Sequence, residues 1–132
     1  RGLKILAPEL VRDSRLDVNF LSHDREVIRN YEEDPLTHRQ ITPSLFFNAR
    51  KAGYRAIREA AQLNLPLLLM HGTGDKITSV KASEELVQNA QAAGKDIRFV
   101  TWEGLYHELH HETERDKVFN TIIDWIREKS KL

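Results

Sequence analysis

The sequence predicts an α/β fold, and three observations carry that prediction. Residues 65–72, LPLLLMHG, are a short continuous apolar run, the composition of a parallel strand covered on both faces. Residues 97–102, IRFVTW, are rich in β-branched and aromatic side chains and read as a second strand. Helical periodicity fills the stretch between them and the stretch after them. From residue 65 the order is therefore strand, helix, strand, helix, a parallel βαβ unit with one further helix.

The elements follow in order. Residues 1–20 mix apolar and charged side chains without a sustained period, and Pro8 interrupts them, so an irregular lead-in is expected. Asp24 is placed to cap a short helix through Tyr31. That helix stops before Asp34-Pro35, because proline disfavours helix in the residue before it. Thr42 is the next N-cap, with Pro43 at the first helical position. Leu45, Ala49, Ala52, Ala56, Ala60 and Leu63 then share one face, while Arg50, Lys51, Arg55, Arg58 and Glu59 stay largely off it, which predicts a long amphipathic helix. Pro66 stands near the start of the first strand, where proline is tolerated. After the turn TGDK, a helix starting near Ser79 would bury Ala82, Leu86, Ala90 and Ala93 and end at Gly94. Thr113-x-x-Asp116 has the form of a capping box, and Val118, Phe119, Ile122, Ile123 and Ile126 make the inner face of a final helix. Two parallel strands that are apolar on both faces need neighbours, so this half is expected to be the edge of a larger sheet.

Composition narrows the function. A chain of 132 residues is long enough for one domain with a core. Twenty basic residues balance twenty acidic ones, so no overall field favours nucleic acid or an anionic membrane. There is no cysteine, which excludes disulfides, cysteine metal sites and cysteine nucleophiles and leaves the compartment open. No apolar run approaches membrane-spanning length. The opening RGLKIL has neither a methionine nor a signal-peptide pattern.

Residues 107–112, HELHHE, pose the main chemical question. His107-Glu108-Leu109-His110-His111 matches H-E-x-x-H, in which two histidines on one helical face hold zinc. Here a strand ends shortly before, Gly104 interrupts, and the best helix start comes after the motif, so His107 and His111 are not expected on one face. A third ligand from Glu114 or Glu128 has nothing to single it out. The second interpretation involves more residues. Functional groups of a parallel α/β sheet gather beyond the carboxyl ends of its strands. Asp75 follows the first strand and His107 follows the second, so both emerge at one edge. A carboxylate that orients an imidazole, whose other nitrogen takes a proton from serine, is the core of acyl transfer. Alone, Asp75 in Gly-Thr-Gly-Asp reads as a turn residue and His107 as a loop histidine; together they favour catalysis. His71 reads as a structural histidine, His110 and His111 as solvated or helix-entry residues, and His23 and His38 as surface or cap residues. GTGDK lacks the spacing of a phosphate loop.

At this point a family can be named. PLLLMHGTGDKIT, WEGLYHELHHETERDKV and IIDWI resemble the C-terminal part of the monoacylglycerol lipase and lysophospholipase family of α/β-hydrolases. LSHDREVIRNYEEDPLTH resembles that family's cap, with Leu-Ser-x-Asp, a tyrosine and Asp-Pro-Leu-x-His. The resemblance runs from about residue 20 to the end. It implies part of a helical cap over 1–63 and the C-terminal edge of an α/β-hydrolase parallel sheet over 64–132. It also implies Asp75 as triad acid, His107 as triad base, a small lipid-like ester as substrate, contact with a membrane surface through the cap, and no metal or organic cofactor. Leu45, Phe46, Phe47 and Tyr54 would line an acyl-chain channel, or else pack their helix onto its neighbours.

The family's nucleophile sits in G-x-S-x-G, and no such pattern occurs here. Ser14, Ser22, Ser44, Ser79, Ser83 and Ser130 all lack the flanking glycines, and the histidine-glycine segment of the oxyanion hole is missing too. The expectation is the C-terminal portion of a longer hydrolase, with its serine in an N-terminal portion of the same chain or in a companion chain. The alternatives are a non-catalytic binding module and, below it, a zinc hydrolase.

Overall fold

A computed structural model describes residues 9–130; Pro8 lies outside the described residues. From there the lead-in is more ordered than its composition suggests. Arg12–Asp13 (β1) pairs antiparallel with Gln40–Ile41 (β2), and Val18–Phe20 forms a 3-10 turn capped by Asp17. Two-residue strands are too short to leave a readable period. Asp24 caps Arg25–Glu33 (α1), its carboxylate accepting from the Glu26 amide at 2.9 Å. The helix continues past Tyr31 to Glu33 and stops before Pro35. Thr42 and Pro43 open Pro43–Arg58 (α2), with Thr42 Oγ1 accepting from the Leu45 amide at 3.1 Å. Such a cap is worth about 1 kcal/mol.

Leu67–Gly72 (β3) and Ile97–Trp102 (β4) pair in parallel, from Leu67↔Ile97 to Gly72↔Trp102. Between them Ser79 caps Val80–Ala92 (α3), its hydroxyl accepting from the Ala82 amide at 3.4 Å. Gly94, at φ +69°, ends it. The Gly94 amide donates to Gln91 O at 2.9 Å and the Lys95 amide to Ala90 O at 3.0 Å, the two bonds of a Schellman ending. The last helix is Arg115–Lys129 (α4). No helix among the described residues is long and apolar enough to cross a membrane.

Four sequence expectations are corrected here. The predicted inner face of α2 is mostly open: Leu45, Ala49, Ala52 and Ala56 are exposed, whereas Pro43 and Ala60 are buried. A stripe is buried only where another element lies over it, and α3 meets α2 at its C-terminal end, where Asn89 Nδ2 donates to Ile57 O at 3.0 Å. On α3 itself, Val87 and Ala90 are buried while Ala93 is exposed. The capping box before α4 does not form. Glu114 takes the N-cap without a side-chain bond, because the Thr113 amide donates to Glu112 Oε2 at 3.2 Å instead. On α4, Val118 is fully buried with Leu105 and Leu109 against Met70, Trp102 and Ile122, but Phe119, Ile123 and Ile126 stay exposed. The two-stranded sheet β3–β4 is too narrow to cover the whole stripe. A second cluster, Val18, Leu21 and Ile28 with Tyr31 and Ile77, packs the segment around residue 20 onto the loop that follows β3.

Candidate active site

The loops after β3 and β4 lie directly against each other. The Thr73 amide donates to Trp102 O and the Gly74 amide to Leu105 O, both at 2.9 Å, while the Gly104 amide donates to Thr73 Oγ1 at 2.8 Å. Gly72 permits this approach, since a Cβ there would stand 2.2 Å from Leu105 O and 2.4 Å from Tyr106 O. Farther along the second loop, the amides of His107 and Glu108 donate to Phe20 O at 3.3 Å and Leu21 O at 2.8 Å. Backbone on both sides thus sets where His107 stands.

The result is a close pair: His107 Nδ1 lies 2.9 Å from Asp75 Oδ2. The two carboxylate oxygens have different tasks. Oδ1 closes the turn, accepting from the Ile77 amide at 2.7 Å and the Thr78 amide at 3.0 Å. Oδ2 accepts from Thr78 Oγ1 at 2.6 Å and faces the imidazole. The Asp75 side chain is only 3% exposed, whereas that of His107 is 35% exposed. Burial pushes the Asp75 carboxyl up. The bonds from the Thr78 hydroxyl, His107 and the two amides outweigh it and hold the group at about 2, below its ordinary 3.8. Asp75 is therefore ionised at neutral pH. No hydrogen bond among the described residues uses His107 Nε2. A buried anion on one ring nitrogen, with the other open toward solvent, favours an Nδ1–H tautomer whose Nε2 accepts a proton.

The other sequence candidates are placed less centrally. His71 Nδ1 pairs with Ser83 Oγ at 2.8 Å, while its buried Nε2 lies 3.1 Å from Asp75 Oδ2 without the alignment of a hydrogen bond. The structural reading of His71 is thus half met. His107 and His111 do not share a helical face. Leu109–His111 is a single 3-10 turn, and His111 Nδ1 pairs with Glu108 Oε2 at 2.7 Å. Glu108, His110 and His111 bring one ligand atom each within 4.8 Å of one another at the surface, and His107 is not in that group. Leu45, Phe46 and Tyr54 are exposed, and Phe46 and Phe47 meet edge to face at 5.3 Å. Tyr54 alone of these four lines a cleft of about 520 Å³ between α2 and α3, with Ile57, Glu85 and Asn89. That cleft includes neither Asp75 nor His107.

Two partners of the site escaped the sequence. Thr78 had a readable signal, a hydroxyl three positions after a turn aspartate, where a side chain returns to the carboxylate. Glu112 had none for its link to His23, which lies 89 positions away. His23 is at the surface as expected, its side chain 42% exposed, and it also bonds Glu112 through Nδ1 at 2.9 Å.

Comparison with known proteins places the chain in a family. The family model described as Serine aminopeptidase, S33 matches residues 1–114. The monoacylglycerol lipase of Mycolicibacterium smegmatis is 34% identical over 122 residues, which are 92% of this chain and 42% of that protein. Phospholipase YtpA of Bacillus subtilis is 31% identical over 120 residues, 90% of this chain and 46% of that protein. The crystal structure of Paleococcus ferrophilus monoacylglycerol lipase matches with a TM-score of 0.87 at 30% identity, over 94% of this chain and 48% of that one. The chain spans less than half the length of each of these relatives. Its parallel β3–β4 pair with flanking helices is the C-terminal edge of an α/β-hydrolase sheet, and the chain belongs to the α/β-hydrolase family described as Serine aminopeptidase, S33, with the monoacylglycerol lipases among its relatives.

Proposed function

We propose that this chain supplies the acid and the base of a serine ester hydrolase that cleaves lipid-like monoesters, a monoacylglycerol or a lysophospholipid. The observation that carries the reading is the 2.9 Å pair between buried, ionised Asp75 and partly exposed His107. The nucleophile comes from residues outside these 132. Among the described serines, Ser22 donates to His111 O, Ser79 caps α3 and Ser83 bonds His71, and none bonds His107. In the reaction, His107 Nε2 takes the serine proton as the serine oxygen attacks the ester carbonyl. Asp75 holds the Nδ1–H tautomer and stabilises the imidazolium. His107 then returns the proton to the departing alcohol, and the same cycle run with water releases the fatty acid. Backbone amides, also from outside this chain, stabilise the oxyanion.

The substrate class rests on the relatives' names, monoacylglycerol lipase and phospholipase. Residues 1–63 serve as part of the cap and 64–132 as part of the core. Exposed Leu45, Phe46 and Tyr54 with half-buried Phe47 suit an acyl-chain path and contact with a lipid surface.

The test is His107→Ala in the full-length protein, read by hydrolysis of a monoacylglycerol. Turnover should fall by on the order of 10⁴-fold or more, with the circular dichroism spectrum unchanged. Near-normal turnover would remove His107 from the mechanism.

A further inference from the structure

Glu112 and Val118 are the largest side chains that the described fold buries completely, and only one of them is charged. A lone buried carboxylate costs several kcal/mol or more unless it is paired and hydrogen-bonded. Glu112 is fully supplied. Its Oε1 accepts from the Tyr106 amide at 2.7 Å and meets His23 Nδ1 at 2.9 Å. Its Oε2 accepts from the amides of His23 and Thr113, both at 3.2 Å. Burial pushes this carboxyl up, and those bonds hold it below its ordinary 4.5.

The partners are informative in their positions. Tyr106 immediately precedes His107, so the loop from 106 to 112 closes on itself through the carboxylate. His23 belongs to the segment whose Phe20 and Leu21 carbonyls receive the amides of His107 and Glu108. Its ring also stacks on Tyr106, with centroids 3.7 Å apart and planes at 21°. Ser22 Oγ adds a bond to His111 O at 2.8 Å. One anion therefore ties the loop that presents His107 both to itself and to residues 20–23. A buried, hydrogen-bonded carboxylate is weak evidence for fold stability, because apolar side chains of the same volume often serve as well, and the placement of its partners points to geometry.

We propose that Glu112, clamped with His23, is a positioning residue for His107: it sets the imidazole against Asp75 without touching substrate. The inference rests on the catalytic reading of His107 above. A displacement of a reacting group by about 1 Å can cost on the order of 10²-fold in rate.

The experiment compares Glu112→Gln, His23→Phe and His107→Ala in the full-length protein. The readouts are kcat and KM for monoacylglycerol hydrolysis and the low-field proton resonance of the His107 Nδ1–H···Asp75 bond. A glutamine has one acceptor oxygen for three amides, and its NH₂ group faces donors. Phenylalanine keeps the stack on Tyr106 and loses only the ring-nitrogen bond to Glu112, while the amide's bond stays. In folded Glu112→Gln, kcat should fall roughly 10²-fold with KM held and the low-field resonance broadened or lost. His23→Phe should act in the same direction, at about tenfold. Wild-type kcat and an intact resonance in folded Glu112→Gln would overturn the positioning role while leaving His107 as the base. Should Glu112→Gln not fold, His23→Phe decides on the same two readouts. Normal turnover in His107→Ala would overturn both the catalytic reading and the inference built on it.

Discussion

Asp75→Asn separates two roles that one side chain now combines. Oδ1 closes the turn with the Ile77 and Thr78 amides at 2.7 and 3.0 Å, and an asparagine carbonyl keeps both bonds. Only the Oδ2 position changes, from an acceptor to an NH₂ group. Thr78 Oγ1, now a donor at 2.6 Å, can rotate its proton away and accept. His107 Nδ1, at 2.9 Å, must then accept as well, which moves the imidazole proton to Nε2. An imidazole protonated at Nε2 has no lone pair for the serine proton. The loss expected from the wrong tautomer is on the order of 10⁴-fold in kcat. The stability change should be small by comparison, about 1–2 kcal/mol for a charge-assisted bond made neutral. The assay is kcat for monoacylglycerol hydrolysis beside a denaturant melt on the same preparation. A turn-closing aspartate with no catalytic part predicts the opposite, near-normal activity in a slightly weakened fold. A fall in kcat of less than about tenfold would refute the triad-acid role, since an order of magnitude is only 1.4 kcal/mol of barrier.

Two further substitutions test how the pair is held. Thr78→Val removes the 2.6 Å bond to Asp75 Oδ2 and should cost about 1–2 kcal/mol at neutral pH. Asp75 is depressed from 3.8 to about 2, so its contribution, at most about 2 kcal/mol, is present above pH 3.8 and is lost as pH falls through about 2. Without the hydroxyl the folded-state pKa rises toward 3.8, and acid unfolding followed by fluorescence should begin at higher pH. An unmoved acid midpoint would show that Thr78 does not support the carboxylate. Gly72→Ala places a Cβ 2.2 Å from Leu105 O and 2.4 Å from Tyr106 O. Backbone must yield, at about 1–3 kcal/mol or more, and the displacement falls on the residues just before His107. Both melting temperature and kcat should drop; an unchanged melt would mean that the two loops lie farther apart than described.

The parts legible in the sequence were those whose cause is local. Asp24, Thr42 and Ser79 each cap the helix that follows within a few residues, and Gly94 ends α3 because only a residue content with positive φ completes that turn. The strands declared themselves by composition. Asp75 and His107 could be paired from sequence because a right-handed βαβ crossover brings consecutive strand ends to one edge. None of that information extends across the chain. His23 and Glu112 stand 89 positions apart, and nothing near either residue marks the other as its partner.

The helix faces failed for a related reason. Periodicity shows which side chains share a stripe, but coverage belongs to whatever packs over it. Val118 and Phe119 are neighbours in one predicted stripe, yet one is fully buried and the other 44% exposed. The difference is that Val118 clusters with Leu105 and Leu109, with Met70 packed against the cluster, while β3–β4 is only two strands wide. The same logic applies to α2, where Leu45 and Tyr54 are open while Ala60, in the 3-10 turn just past its end, is sealed. Polar positions near the site obey a stricter rule than apolar ones. An uncovered leucine costs little, since apolar side chains are common on protein surfaces. A buried carboxylate must find every partner within its own fold. Asp75 and Glu112 both do so, and each takes one partner, His107 or Tyr106, from adjacent positions of the same loop.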